Sequence, residues 1–135
     1  MEQEGIVKST VVIPNYNGIS YIKDCLDSLL ADKAEHDFSI VVVDNHSTDG
    51  SRELIRNEYP QVELICFEEN TDFCRAVNAG IEAAKTEFVI LLNNDTTVEE
   101  GFVSALEEAM ERYPKAFSVG AKQVDMKNPA IVDDA

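Results

Sequence analysis

The residues best able to do chemistry in this chain lie in polar clusters that directly follow apolar runs. The sharpest is Asn93-Asn94-Asp95, delivered by the run Phe88–Leu92. Asp44-Asn45-His46-Ser47-Thr48-Asp49-Gly50 follows Phe38–Val43, and Pro14-Asn15-Tyr16-Asn17-Gly18 follows Ser9–Ile13. Amides, hydroxyls and carboxylates gathered in this way suit a sugar, a ribose or a metal-bound phosphate. Asp95 carries the strongest functional claim. Thr97 and Glu100 have capping-box spacing and would cap the following helix without it. Asp44 follows the β-branched run Ile40–Val43, and helix capping there can fall to Ser47, Thr48 or Asp49. Pro14 and Gly18 also fit a purely loop-shaping role.

The elements that must position these clusters alternate along the chain. Ser9–Ile13, Phe38–Val43, Val62–Phe67 and Phe88–Leu92 read as strands. The run Phe88–Leu92 is too short for a globular helix and too apolar for a half-exposed strand, so it reads as central parallel sheet. Glu63 places a charge in its strand and puts that strand at or near a sheet edge. Helices are expected from about Ser20 to Ala31, over Ser51–Glu58, through Ala76, Val77 and Ile81 to Ala84, and from Phe102 to Tyr113. Ala116–Val124 reads as a fifth strand, weakened by Gly120. This is β-α-β-α-β-α-β-α-β with short connections, an α/β pattern of an open, mostly parallel sheet with helices on both faces. In such a sheet the loops after the first, second and fourth strands open on one edge, where ligands bind.

At 135 residues the chain makes one domain. Its 44% hydrophobic and 27% charged residues are those of a globular protein. No apolar run is long enough to span a bilayer, and Met1-Glu2-Gln3-Glu4 lacks the basic flank of a signal peptide, so a cytoplasmic location is expected. The net charge of -15 repels nucleic acid and anionic lipid alike. A phosphate-bearing ligand then needs a cation, a helix N-terminus or a placed Arg. Cys25, Cys66 and Cys74 form no CxxC and share no ligand spacing with the histidines. They read as reduced thiols, with Cys25 and Cys66 in or near the core.

Several ligand classes lose their signature residues. No GxGxxG or GxxxxGK[ST] is present. A phospho-receiver domain wants acids where Asn15 and Asn17 stand, and a dehalogenase-type phosphatase wants an Asp nucleophile at Asn93.

With these motifs laid out, the chain resembles family 2 glycosyltransferases of the Rossmann-like GT-A fold. The resemblance rests on Val12-Ile13-Pro14-Asn15-Tyr16-Asn17, Val41–Ser51, Asn70–Gly80 and Leu91-Leu92-Asn93-Asn94-Asp95-Thr96, in family order and at family spacing. It implies a nucleotide-diphosphate sugar as donor, uridine- or thymidine-linked. Pro14, Asn15, Tyr16, Asn17 and Asp44 would meet base and ribose, with Asn45 and Ser47 alongside. Arg75 and Asn78 would help shape the donor pocket, and Asn94 and Asp95 would line it. Asn93-Asn94-Asp95 falls at the family's DxD motif, so Asp95, with Asn93, would hold Mg2+ or Mn2+ against the diphosphate.

Departures from the family pattern set further expectations. Asn93 replaces the first DxD carboxylate, which weakens the metal site and is similar to a rhamnosyltransferase-like branch. Asp72 stands where many relatives have Gly. The resemblance implies an inverting transfer to a hydroxyl of a glycan or lipid-linked acceptor, and inversion needs a general base. In the family that base lies beyond the DxD-like motif, in the acceptor half. Asp125, Asp133 and Asp134 lack its context. Residues 1–135 are therefore expected to be the donor-binding part of a glycosyltransferase domain without its acceptor part, either a truncated piece or a short relative, and without a catalytic base for turnover of their own. Apolar surface bared by truncation could support a homo-oligomer. The alternative reading is a non-catalytic nucleotide-sugar-binding module.

Overall fold

The computed structural model describes residues 7–116, 118–120, 123–124 and 132–133. Strand β1 (Ser9–Asn15) leads to helix α1 (Ile22–Glu35), then β2 (Ser39–Asp44), α2 (Ser51–Glu58), β3 (Glu63–Cys66), α3 (Phe73–Ala83), β4 (Phe88–Leu91) and α4 (Phe102–Arg112). The strands form one sheet in the order β3-β2-β1-β4, and every pair is parallel. This is the expected α/β class.

Helices cover the two faces unequally. Side chains alternate across a strand, so Val11, Ile13, Ile40 and Val42 enter one core with Ile22, Leu26 and Leu29 of α1, Ile55 of α2 and Val103 of α4. Val41 and Val43 enter a smaller core on the other face, against Ala76 of α3. There α3 lies close on the sheet because Gly80 has no side chain: a Cβ would stand 2.2 Å from Val12 Cγ1.

The register brings the strand ends together. Asn15 pairs with Asp44, and Asp44 with Cys66. The Leu92 N–H continues the ladder to Val12 O at 3.0 Å. Three of the predicted polar clusters therefore leave the sheet at one edge, and β3 lies at the side of the sheet as Glu63 foretold.

Some expectations are corrected. Among the described residues, β4 pairs only with β1 and lies at a side of the sheet rather than its centre. Its Ile90, and Leu92 just beyond it, pack on the large core, while Val89 and Leu91 are 37% and 54% exposed. Those two share the face of Thr10 and Val12, while α3 packs chiefly over β1 and β2. An unbroken apolar run cannot tell its own position in the sheet. The fifth strand does not extend this sheet over the described residues. Ala116 and residues 118–120 have no regular structure, and β5 (Gln123–Val124) pairs antiparallel with β6 (Val132–Asp133). Phe117, Ala121 and Lys122 lie outside the described residues, as do Asp125, Asp134 and the side chain of Asp133.

Helix caps also differ. The Thr97–Glu100 capping box does not form, because α4 starts later, after Gly101 at φ 89°. Its first N–H groups are met from α1 instead: buried Asp32 accepts from Gly101 N at 2.8 Å and Val103 N at 3.1 Å. Asp72 caps α3 by accepting from Arg75 N at 2.8 Å, which gives this acid a structural role.

Candidate functional site

Pro14, Asn15, Tyr16, Asn45, Asn93, Asn94 and Asp95 line one cleft of about 350 Å³ at the carboxyl ends of the strands. Asn70, Phe73 and Ala76 complete its wall. Asp95 is exposed, and among the described residues no cation pairs with it. Tyr16 and Phe73 are 50% and 61% exposed, placing two aromatic rings at the cleft with little cover of their own.

The remaining polar residues are mostly occupied by one another. Asp44 is wholly buried. Its Oδ1 accepts from Asn15 Nδ2 at 2.9 Å and its Oδ2 from Ser47 N at 2.9 Å. Arg52 Nε lies 3.4 Å from Oδ2 and supplies the countercharge such burial requires. Asp44 is thus filled by donors of the protein itself and ties the loops after β1 and β2 together. Arg52 was not singled out in the sequence, although an Arg one residue into the helix after that loop was the available signal.

Asn17, with φ 51°, fastens the first loop to the second. Its N–H donates to Ser47 Oγ at 2.8 Å, and its Oδ1 accepts from Thr48 N at 2.8 Å. Asp49 extends the seam by accepting from Ile19 N at 2.9 Å and from Ser51 N and Oγ at 2.9 and 2.6 Å. Partial burial would raise the Asp49 carboxyl. The Ser51 hydroxyl and the Ile19 and Ser51 N–H groups outweigh that and hold it below the ordinary carboxylate range. Asn45 is committed in another direction. Its Nδ2 donates to Thr71 O at 2.7 Å and its Oδ1 accepts from Thr71 N at 2.7 Å, which fixes the loop that presents Asn70.

Arg75 and Asn78 do not line this cleft. They line a second pocket of about 380 Å³ with Phe67, Glu68, Glu69, Thr71, Ala79 and Glu82. Helical spacing explains the separation: Arg75, Asn78, Ala79 and Glu82 share one face of α3, while Phe73, Ala76 and Gly80 share another. The same spacing, applied to the sequence, marks Phe73 as a wall residue that the motif reading passed over.

Below the Asp95 loop, Cys25 Sγ lies 3.8 Å from Asn93 O. Burial, reinforced by the negative charge of Asp95, pushes this thiol up to about 12, so it is packing and not a nucleophile. All three cysteines are free, as expected.

An open parallel α/β sheet with a cleft at its carboxyl edge has its candidate ligand site where open α/β domains carry one. The chain belongs to the family described as Glycosyl transferase family 2, which it matches over residues 10–130. It is 30% identical over 116 residues to Glycosyltransferase GlyA of Streptococcus pneumoniae, covering 84% of this chain and 16% of that protein. It is 31% identical over 108 residues to the putative teichuronic acid biosynthesis glycosyltransferase TuaG of Bacillus subtilis, covering 76% of this chain and 42% of that one. The fold matches that of S. aureus TarS in complex with UDP at a TM-score of 0.70 and 24% identity, over 80% of this chain and 33% of that one. The TarS complex with UDP-GlcNAc matches at 0.68 and 25%, over 80% and 32%. The chain thus spans less than half the length of these relatives, and its fold is GT-A. Among the described residues, no helix is long and apolar enough to cross a membrane.

Proposed function

We propose that the cleft binds a nucleoside diphosphate sugar and that residues 1–135 form the donor-binding part of an inverting, metal-assisted glycosyltransferase. The observation that carries this reading is Asp95: an exposed carboxylate on the loop after β4 that pairs with no cation among the described residues, inside a cleft lined mainly by amides and aromatic rings. The likeness to TarS in complex with UDP and with UDP-GlcNAc supports it. Tyr16 and Phe73 supply flat apolar surface for a base. A thymidine-linked donor fits the same reading.

The donor set suits a hard divalent ion held in part by its substrate. Mg2+ is commonly bound through one or two carboxylates together with phosphate oxygens. Asp95, with the Asn93 amide oxygen, would hold Mg2+ or Mn2+. When bound, the ion would neutralise the charge that develops on a diphosphate leaving group. The protein's own contribution is to place that carboxylate in the cleft, on the loop after β4.

A second reading has its own support. Among the described residues, Asp95 is the only carboxylate lining the cleft. Once it is given to a metal, no side chain there remains to deprotonate an acceptor hydroxyl. On this reading the chain binds a nucleotide sugar without turning it over, and the base and the glycan or lipid-linked acceptor site belong to the longer protein.

Calorimetric titration with uridine and thymidine diphosphates and their sugars, with and without Mn2+, tests both readings. Binding that strengthens with Mn2+ and falls at least about tenfold in Asp95→Ala is expected. An absence of binding by the chain and by its full-length parent would sink the donor reading. Donor hydrolysis by the 135-residue chain, abolished in Asp95→Ala, would sink the purely binding one.

A further inference from the structure

One amide touches both halves of the polar edge. Asn15 is 1% exposed. Its Nδ2 donates to Asp44 Oδ1 at 2.9 Å and to Ser51 Oγ at 3.0 Å, with Ser47 Oγ at 3.4 Å. Its Oδ1 accepts from Asn94 Nδ2 at 2.8 Å. The direction of this amide is dictated by its neighbours. The buried Asp44 carboxylate can only accept, so the NH2 end of Asn15 must face it and the oxygen end must face Asn94. Position 94 is thereby required to donate.

Gly18 lies against the same bond. A Cβ there would stand 2.3 Å from Asn94 Nδ2 and 2.4 Å from Asn15 Oδ1. The first loop can pass over the amide pair only because residue 18 has no side chain.

We propose that Asn15 is the positioning residue of the cleft, clamping Asn94 so that its amide is spent on the protein while the carboxylate beside it, Asp95, is left to face the ligand. The proposal rests on the nucleotide-diphosphate reading and adds to it a division of labour. Asn94 is spent on the protein, and Asp95 is free. The chemistry of the clamp also inverts an ordinary expectation. If Asn94 faced the ligand, Asn94→Asp would add a second anion and strengthen a cation site. Clamped against Asn15 Oδ1, the new carboxylate instead meets an acceptor that cannot turn away, because Asp44 holds its other end.

The test compares the 135-residue chain with Asn94→Asp, Asn15→Ala and Gly18→Ala. Uridine diphosphate is titrated with and without Mn2+, and the side-chain amides of the free proteins are followed by NMR. Asn94→Asp is expected to weaken binding by about fivefold or more with Mn2+ present, and by less without it. Tighter or unchanged Mn2+-dependent binding in Asn94→Asp would overturn the clamp. An equal loss with and without Mn2+ would also overturn it, since that marks general loosening. In the free protein, Asn94→Asp is expected to shift the Asn15 NH2 resonances and speed their exchange with solvent. Unmoved resonances refute the clamp even if uridine diphosphate does not bind. A shift in a protein that does not bind it upholds the clamp and leaves the donor reading to the titration of the longer protein. Asn94→Asp changes no buried core residue, so the test stands if Asn15→Ala fails to fold.

Discussion

At the amino-terminal ends of the strands, Ser9 Oγ donates to Glu107 at 2.5 Å, and His36 Nε2 meets the same carboxylate at 2.8 Å. At the carboxyl ends, Asn15 and the Ser47 N–H meet Asp44 in a similar way. Both carboxylates are buried, both join elements distant in sequence, and both are filled by protein donors. The difference is what remains after those bonds are made. Beyond Asp44, the carboxyl end carries a further acid, Asp95, which is exposed in a cleft and pairs with no cation among the described residues. A buried acid in an α/β sheet is therefore a poor guide to function on its own. The informative acid is the one the structure leaves unanswered.

Removing each acid in turn probes that contrast. Asp44→Ala is expected to have the largest effect, destabilising the fold by about 3–5 kcal/mol by stranding the Arg52 charge, and weakening nucleotide binding as the loops part. Urea denaturation and calorimetry measure the two losses. Glu107→Ala is expected to destabilise by about 1–3 kcal/mol through the unpaired Ser9 hydroxyl, with uridine diphosphate binding retained. Lost binding in that variant would break the distinction between the two ends.

The smallest effect is a pH dependence. Asp49 is held below the ordinary carboxylate range in the folded chain, so the unfolded chain takes up its proton first as pH falls. Its contribution is present at neutral pH and is lost as pH falls from the unfolded value through the folded one. Asp49→Asn should therefore cost under about 1 kcal/mol at neutral pH and nothing measurable in acid, as read from urea midpoints. A cost that grows in acid would show that the seam between the first two loops does not depend on this carboxylate.

Much of the scaffold is legible in the sequence because it follows from local patterns. Leu54 and Ile55 mark α2, the Ile40–Val43 run marks a strand buried on both faces, and Glu63 marks β3 as a side strand. The position of β4 is not legible. Whether Val89 and Leu91 are covered depends on where α3 lies, and nothing within Phe88–Leu92 encodes that. The site divides in the same way. Residue types at the ends of strands identify seven lining residues, but not which side chains face inward. Asn15 and Asn94 are 79 positions apart, and Asn45 and Thr71 are 26 apart. Amides that look like ligand contacts in a motif are consumed by partners that only the folded chain brings near. Arg75 and Asn78 are a simpler case, since helical spacing alone puts them on another face of α3 from Phe73 and Ala76.

The cap that Asp32 gives α4 bears on the order in which the chain folds. A capping box closes along with its own helix, whereas this cap joins residues 69 and 71 positions apart. The first turn of α4 can gain it only after α1 has docked and the intervening chain has been gathered in, and closing a loop of that size is paid for in entropy. Contacts of such separation tend to form on the native side of the folding barrier. Asp32→Ala should accordingly leave the refolding rate nearly unchanged and speed unfolding, by about fivefold for each kcal/mol the cap contributes. The acid that fastens α4 is then a brake on unfolding rather than an aid to folding.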